Sequence, residues 1–483
     1  MHETQERIDR KDERLALGNI PHKGETPMSQ TYFLGVDPGK KNLTCCLLRD
    51  RQGAMVLKPA DFPTTRQGFE SLLAELQKHL KAGDRLLAGV EASASLDDNI
   101  MAFFASLKAQ DWALKLMRVD AAQVARFSGA RPIRGQTDKT DSKRVARFVA
   151  SYAGELHSFE HDPQAQAMLR LVNDRAHLVQ DRVVWCNRLQ DRLVLSFPEF
   201  TSVLPDPAGA LGLATLKTVA TAREAAGKRA RTLARIKPPT ARSQALGSER
   251  AEALVKAAKS SVASANEPSD AQTIRFHAGQ LETLDARIAE IEKQLKNYST
   301  KDLRETPEET PSAQEGPENN ETNHDRAIPL SRQIRLADSL PGFAAVGASV
   351  VVLRVRGITR YDCSEALAAQ LGVCPDRVET GTSLKTSHLT YRGDRLTRST
   401  LYLLTLAATR SDPAMTFHKW RHIRAGMTPK QAVCACMNRM VGWLYAVVTS
   451  QQPYDKNRSV ENARKQHPRL WEEFRKSREE QAA

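Results

Sequence analysis

The first third of the chain alternates short apolar runs with amphipathic segments. An apolar run enters Asp37, a Pro-Gly-Lys turn follows, and a second β-prone run leaves the turn. Residues 65–81 repeat apolar positions at helical spacing, and the apolar run 85–90 then ends at Glu91. Residues 97–119 repeat this helix–strand order. Strands followed by alternating helices and strands predict an α/β domain with a mixed central sheet.

Two long helical patterns occupy the middle of the chain. Apolar side chains recur at helical spacing over residues 162–196, and from Ile274 to Leu295 they fall on alternating three- and four-residue steps. Such a stripe of about three heptads predicts a helical hairpin or coiled coil, formed with the earlier long helix. The pattern indicates a stalk for packing or oligomerisation rather than a cofactor site.

A second helical region follows a polar linker. Residues 298–326 are rich in Glu, contain three prolines and hold few apolar side chains, which predicts disorder. Residues 430–450 form an apolar helix typical of a core, and the residues after Pro453 are polar, basic and expected to be flexible. The predicted organisation is a disordered leader (1–30), an α/β domain (31–155), a helical coiled-coil stalk (160–297), an acidic disordered linker (298–327), a mainly α-helical C-terminal domain (328–450) and a basic tail (451–483).

Charge indicates the kind of partner. The 483 residues include 71 Lys and Arg against 57 Asp and Glu, which gives a net charge of +14. A long basic protein attracts polyanions, and nucleic acid is the usual polyanion. An enzyme that is merely basic is the alternative.

The remaining composition favours a cytoplasmic protein. No run of eighteen apolar residues predicts a membrane span, and the polar N-terminus lacks the apolar segment of a signal peptide. Met28, just before the first strand, is a second candidate for the functional start. Seven cysteines, an odd number without a Cys-x-x-Cys pair, indicate a reducing compartment and argue against a zinc site.

Four acidic residues stand out in the α/β region. Asp37 and Glu91 each end an apolar strand, and Asp138 and Asp141 are three residues apart on the first turn of a predicted helix. Capping and compensation of the helix dipole would explain the Asp138–Asp141 pair taken alone. Together with the strand-end acids, the pair predicts a two-metal nuclease site.

Several features of the middle and C-terminal regions allow two interpretations each. Thr380 and Ser383 flank Gly381, and their hydroxyls are either nucleophiles or turn formers. The Pro-Gly342 turn is either half of a DNA-binding helix-hairpin-helix unit or a tight turn between helices. The basic segment 228–237 is either a contact to a phosphate backbone or a solvated helix face. The basic residues predicted to contact nucleic acid are Lys40, Lys139, Lys143, Arg392 and Arg395.

These residues carry a resemblance to a known family. Asp37 in Gly-Val-Asp-Pro-Gly-Lys, Glu91 in Gly-Val-Glu-Ala-Ser, and Asp138 and Asp141 in Thr-Asp-Lys-Thr-Asp resemble the DEDD tetrad of the insertion-sequence-110 group of transposases. The resemblance continues through Leu-Pro-Gly342 and Tyr-Arg-Gly-Asp394 and spans about residues 32–448. In that family the N-terminal domain is similar to RuvC-type Holliday-junction resolvases, which implies a ribonuclease-H-like fold.

Membership would imply a specific chemistry. The tetrad would bind Mg²⁺ (or Mn²⁺), and a serine of the C-terminal domain would form a covalent bond to DNA. A noncoding bridge RNA would pair with donor and target DNA, and the active assembly would be a homo-oligomer, from a dimer to a tetramer. The family's serine directly precedes a glycine, whereas Thr380 stands at that position here and Ser383 lies three residues further on. Position favours Thr380, and the less hindered primary hydroxyl favours Ser383.

Three other functions compete with a transposase. A structure-selective endonuclease resembling the resolvases would use the same metals without a covalent intermediate. An actin-like phosphotransferase also begins with a strand–Asp–Gly hairpin, but it needs a second Gly-rich hairpin that this sequence lacks. A non-catalytic RNA-binding scaffold would not need the complete acidic tetrad.

Overall fold

The computed structural model describes residues 29–93, 95–108, 112–129, 138–239, 244–300, 328–380, 384–389 and 393–482. Within these ranges the chain divides into two compact units, the first ending at Asp162 and the second beginning at Pro163. Most of the predicted leader and most of the predicted acidic linker lie outside the described residues, as does Ser383.

The first unit is built on a five-stranded mixed sheet. Its strands are β1 (Thr31–Pro38), β2 (Asn42–Leu48), β3 (Met55–Pro63), β4 (Arg85–Glu91) and β5 (Leu114–Val119). The strand order is β3-β2-β1-β4-β5, with β1 antiparallel to β2 and parallel to β4. The helices of this unit are α1 (Arg66–His79), α2 (Asp98–Lys108), α3 (Ala121–Gly129) and α4 (Asp138–Tyr152). The predicted mixed sheet is therefore confirmed.

Helices cover both faces of this sheet, and strand alternation decides which side chain meets which helix. Leu34 of β1 belongs to the core under α1 and α2, whereas Phe33 belongs to the core under α3 and α4. Because side chains alternate along a strand, Gly35 and Asp37 lie on the same face as Phe33. This face carries the acidic residues discussed below.

Two long antiparallel helices begin the second unit. They are α5 (Pro163–Ser196) and α11 (Pro268–Thr300), joined through five short helices. The short helices are α6 (Phe200–Val203), α7 (Ala210–Thr218), α8 (Ala222–Ala226), α9 (Ala230–Leu233) and α10 (Ser248–Lys259). Ion pairs Arg175–Glu292 and Arg182–Asp285 link α5 and α11 in an antiparallel register. The long helices thus form a hairpin, and the supercoil of a coiled coil stays a prediction.

The remaining helices form a bundle, most of which packs around the N-terminal half of α5 and the C-terminal half of α11. They are α12 (Leu330–Asp338), α13 (Ala345–Arg354), α14 (Ser364–Leu371), α15 (Arg395–Ser411), α16 (Pro413–Arg424), α17 (Pro429–Thr449), α18 (Lys456–Gln466) and α19 (Pro468–Ala482), with the antiparallel strands β6 (Pro375–Thr380) and β7 (Leu384–Leu389). Val172 of α5 and Leu295 of α11 share a core with this bundle. Tyr298 is also buried there, so α11 extends three residues into the predicted linker.

Helix α17 is long and apolar enough to cross a membrane by length and composition, but half of its most apolar stretch is buried inside the protein. Met437, Met440 and Leu444 lie in the core of the bundle. Its apolar character is therefore explained by packing, in line with the core helix predicted from the sequence.

The expectation of a flexible C-terminal tail is wrong. The residues from Lys456 onward form α18 and α19, and these helices pack on α16 through an aromatic cluster. The ring of Phe417 lies 5.0 Å from that of Trp471 and 5.6 Å from that of Phe474, measured between centroids. The apolar positions of the tail recur at helical spacing but are diluted by charged residues, which is why composition alone misled the prediction.

This packing predicts a stability effect for the tail. Replacing Phe474→Ala should lower the free energy of unfolding of the second unit by about 3 kcal/mol, because a buried ring is lost from a packed cluster. Leu403→Ala, at a side chain that is 63% exposed, is the matched control and should change it by less than about 0.5 kcal/mol. Denaturant unfolding checks both values, and equal effects would contradict the packed tail.

Candidate active site

Asp37 and Glu91 lie side by side at one end of the sheet. Asp37 is the second-last residue of β1 and Glu91 the last residue of β4, the two strands are parallel neighbours, and both residues are half-buried. Glu91 is on the same face as Leu87, a residue of the core under α4, just as Asp37 is on the face of Phe33. Both acids are therefore on the face of the sheet that α4 covers.

Two glycines allow α4 to lie directly on this face. Gly35 of β1 and Gly89 of β4 are partners in the parallel register. A Cβ atom on Gly35 would lie 2.2 Å from the carbonyl oxygen of Ser142, and one on Gly89 would lie 2.2 Å from Cγ2 of Val149. No side chain can be inserted between strand and helix at these points, so α4 is held against β1 and β4.

This close packing brings Asp141, on the first turns of α4, to the two strand-end acids. Burial, followed by the negative charges of Asp37, Asp141 and Asp120, raises the pKa of Glu91 to about 7, with Arg144 acting in the opposite direction. Arg144 also pairs with Asp141 at 2.6 Å. Acids predicted from three separate segments are thus close enough in space to repel one another.

Asp138 begins α4, but its side chain lies outside the described part of the structure. Among the Asp, Glu, His and Cys side chains that are described, no three converge closely enough to hold a metal ion. The carboxylates nevertheless fit a divalent cation chemically, because oxygen ligands suit Mg²⁺ and a cation would relieve the repulsion at Glu91.

Sequence reasoning missed Asp120, which follows β5 directly. Its Oδ1 accepts hydrogen bonds from the backbone N–H groups of Ala122 at 2.8 Å and Gln123 at 3.1 Å, so it caps α3. Because β5 is the parallel neighbour of β4, the Asp120 carboxylate also adds negative charge beside Glu91. The sequence contains a signal for Asp120, because it directly follows an apolar strand, as Asp37 and Glu91 stand at the ends of apolar strands.

A buried ion pair supports the loop that follows Glu91. Asp97 is 1% exposed and pairs with Arg118 of β5, whose Nη2 donates to Oδ1 at 3.0 Å. The same Oδ1 accepts from the backbone N–H of Ser93 at 3.4 Å. The loop is therefore held to the neighbouring strand just beyond the acidic residues.

The structure describes the side chains of three of the five predicted basic contacts, and these lie in three different segments. Lys40 is exposed in the turn between β1 and β2, and Lys143 is half-buried on α4. Arg395 is exposed at the start of α15, in the second unit. The side chains of Lys139 and Arg392 lie outside the described residues.

The candidate hydroxyls belong to the β6–β7 hairpin. Thr380 ends β6, and its side chain, like the whole of Ser383, lies outside the described part of the structure. The base of the hairpin is described: a Cβ atom on Gly372 would lie 2.6 Å from the backbone nitrogen of Gly393. The two ends of the segment that carries the hydroxyls are therefore in contact.

A charged network fixes this base to the helical bundle. Arg354 of α13 donates from Nε and Nη2 to the two carboxylate oxygens of Asp394, each at 2.7 Å, and also contacts Asn173 of α5. Asp394 caps α15 by accepting from the N–H of Thr397 at 2.7 Å. Although burial opposes ionisation, the hydrogen bonds from Arg354 and Thr397 keep the pKa of Asp394 below its usual range.

The Pro-Gly342 turn packs against helix α15. A DNA phosphate was the other partner considered for this turn. Gly342 has a φ of +79°, and a Cβ atom there would lie 2.3 Å from the carbonyl oxygen of Leu404 in α15. This arrangement favours the tight interhelical turn over the DNA-binding hairpin.

Comparison with known proteins identifies the class and then the family. Residues 34–198 match a family model of DEDD transposases of the IS110 group, described as "Transposase". Residues 334–419 match the model described as "Transposase IS116/IS110/IS902 family". The chain is a DNA transposase, and its mixed sheet agrees with the ribonuclease-H-like fold that the first model implies. It belongs to the IS110 family of insertion-sequence transposases, as the tetrad motifs predicted.

Two insertion-element proteins from Streptomyces are similar to the chain. The IS116 uncharacterized 44.8 kDa protein of Streptomyces clavuligerus is 26% identical over 341 residues, which cover 69% of this chain and 76% of that protein. The IS110 uncharacterized 43.6 kDa protein of Streptomyces coelicolor is 26% identical over 117 residues, 24% of this chain and 29% of that protein. The first match extends over both units.

The glycine contacts predict unequal costs of adding a methyl group. Gly35→Ala should destabilise the first unit by about 3 kcal/mol, because the new Cβ meets helix backbone that cannot rotate away. Gly89→Ala should cost less, because the atom it meets is the end of the Val149 side chain. The double variant Gly89→Ala/Val149→Ala should lose less unfolding free energy than the sum of the losses of the two single variants, because Val149→Ala removes the atom that the new Cβ meets.

Denaturant unfolding measures these differences. Gly154→Ala is the matched control, since a Cβ there meets nothing within 4 Å. Equal losses for Gly35→Ala, Gly89→Ala and the control would show that α4 does not press on the strands.

The raised pKa of Glu91 predicts how stability depends on pH in metal-free protein. A carboxyl whose pKa is higher in the folded state destabilises the fold once it is ionised, so its contribution is most favourable below its unfolded-state pKa and is lost as the pH rises through about 7. Glu91→Gln should therefore melt at a higher temperature than the wild type at pH 8 in EDTA. The two proteins should melt alike near pH 4.

Glu155→Gln, which changes an exposed acid of the same unit, is the control and should show no such pH-dependent gain. Adding Mg²⁺ at pH 8 should raise the melting temperature of the wild type more than that of Glu91→Gln. An equal rise in both would contradict a role for Glu91 as a metal ligand.

Proposed function

We propose that this transposase cuts and rejoins DNA with two groups of residues. Asp37, Glu91, Asp138 and Asp141 bind a divalent cation, Mg²⁺ or Mn²⁺. A hydroxyl of the β6–β7 hairpin, from Thr380 or Ser383, is the nucleophile. The observation that carries the proposal is that the charges of Asp37 and Asp141, from a strand and a helix, act on Glu91 at one end of the sheet.

The hydroxyl oxygen loses its proton and bonds to a phosphorus atom of the DNA backbone, while the bond from that phosphorus to a DNA oxygen breaks and the leaving oxygen takes up a proton. A cation held by the four acids would neutralise part of the phosphate charge. Since the protein–DNA phosphodiester keeps the bond energy of the broken strand, a DNA hydroxyl can reverse the step and join a new pair of ends. The stabilised base of the hairpin supports this role, because a nucleophile must be held in one orientation.

The choice of donor and target DNA is assigned to a noncoding bridge RNA that pairs with both. The net charge of +14 supports binding of more than one nucleic acid, and delegated base pairing needs contacts to backbone rather than to base edges. A homo-oligomer, from a dimer to a tetramer, would hold the DNA ends together for exchange.

The test is the formation of a covalent adduct. Purified full-length protein with Mg²⁺, candidate bridge RNA and labelled donor and target DNA should give a protein–DNA species on a denaturing gel. Asp141→Asn should reduce it by more than about a thousandfold, and so should removal of the attacking hydroxyl by Thr380→Val or Ser383→Ala. Ser387→Ala, at another hydroxyl of the same hairpin, should leave the yield within about twofold.

Mass spectrometry of the adduct then names the nucleophile. Metal-dependent cutting without any adduct would refute the covalent mechanism and favour the resolvase-like endonuclease, which needs only the acidic residues. An adduct that survives Asp141→Asn would refute the role of the tetrad.

A further inference from the structure

A cluster of cationic and imidazole side chains lies on α16, outside the residues assigned above. His418, Arg421 and His422 are three and four residues apart and so share one face of the helix. The adjoining face of α16, with Phe417 and Trp420, packs on α18 and α19. The aromatic packing therefore fixes where the cationic face points.

Two further residues from other elements join this face. Arg421 Nη1 contacts Nε2 of His467, the residue between α18 and α19, and Arg439 of α17 donates from Nη2 to Oε1 of Gln466 at 3.3 Å. Together, His418, Arg421, His422, Arg439 and His467 form what we call the α16 basic cluster. Three of its members come from α16 and two from neighbouring segments, so the tertiary fold assembles it.

The α16 basic cluster has no counter-charge among the described residues. None of their ion pairs involves a member of the cluster, whereas Arg424, one turn along the same helix, pairs with Glu473. Burial, followed by the charge of Arg421, lowers the pKa of Arg439, so the two guanidinium groups repel each other. Burial, followed by these two arginines, lowers the pKa of His422 and His467.

His418 is the buried member of the α16 basic cluster. It is 3% exposed, and its Nδ1 is buried without a hydrogen-bond partner. Burial first, and then Arg439, Arg421, His422 and His467, lower its pKa to about 3, so it is neutral at pH 7. Uncompensated arginines beside neutral imidazoles are costly in a folded protein unless an anion accepts their hydrogen bonds.

We propose that Arg421, Arg439 and His467 bind a phosphate group of a nucleic-acid backbone. Guanidinium groups match phosphate oxygens with paired N–H donors, and the imidazole and the Gln466 amide add donors around a tetrahedral anion. That the phosphate belongs to DNA or RNA rests on the proposed function, while the anion site itself rests on the geometry alone. The site lies beyond the segment matched by the second family model, which ends at residue 419.

The first measurement uses inorganic phosphate and full-length protein. At constant ionic strength, replacing chloride with phosphate should raise the melting temperature of the second unit, because the anion binds the folded cluster only. Arg421→Gln should lose this rise, and without phosphate it should melt no lower than the wild type, since a repulsion is removed. Arg424→Gln removes the same charge from the same helix but should keep the rise. If Arg421→Gln fails to fold, Arg439→Gln replaces it with the same expectation.

The second measurement uses a labelled single-stranded oligonucleotide and fluorescence anisotropy. Arg421→Gln should weaken binding by about fivefold to tenfold and reduce the slope of log affinity against log salt by about one. Arg424→Gln should change the affinity by less than about twofold. Binding requires no strand cleavage, so this result is independent of the adduct experiment.

Each outcome decides one part of the proposal. A rise with phosphate that Arg421→Gln retains would overturn the site. Loss of the phosphate effect together with equal oligonucleotide binding by the Arg421→Gln and Arg424→Gln proteins would show a site for free phosphate and overturn the assignment to nucleic acid. Loss of both in Arg421→Gln alone supports the proposal.

Discussion

The contact of α4 with β1 and β4 at Gly35 and Gly89 is the constraint on which the acidic site depends. Apolar packing holds α4 against the sheet. Because Gly35 and Gly89 have no side chains, the helix can approach the backbone of the two strands closely. At that distance Asp141 is brought to Asp37 and Glu91 against electrostatic repulsion. The core of this unit therefore stabilises a group of like charges that would separate if α4 were free.

The strand-end acids could be predicted from the sequence because their spacing follows a local rule. Asp37 and Glu91 end apolar strands, and period-two alternation then decides their face. Asp120 obeys the same rule, but its role depends on β5 lying beside β4, and the order of strands is a property of the whole sheet. Arg144 is likewise an ordinary helix residue until the packing of α4 places it near Glu91. The local pattern therefore predicts the strand-end acids, whereas the order of the strands and the packing of α4 decide which further charges lie beside them.

The second unit was predicted less well because its organisation is non-local. The long helices follow from heptad spacing, but their merging with the C-terminal bundle depends on Val172 and Leu295 meeting helices far along the chain. The packing of the tail is non-local for a related reason: Phe474 packs on Phe417 of α16, and the charged residues around Phe474 dilute the helical pattern of the tail. The base of the β6–β7 hairpin also joins residues from three helices, which no local motif reports.

Each unit contains a cluster of like charges, and the sign of the charge differs between the two units. In the first, carboxylates repel one another and are suited to a cation; in the second, Arg421 and Arg439 repel one another and are suited to an anion. Each cluster costs stability when no ligand is bound, because charges of one sign repel one another within it. A protein that only needed to be stable would place acids beside arginines, as Arg424 and Glu473 do. Arg144 beside Asp141 offsets only part of the negative charge in the first unit, so each cluster keeps an excess of one sign that a ligand of opposite charge can neutralise.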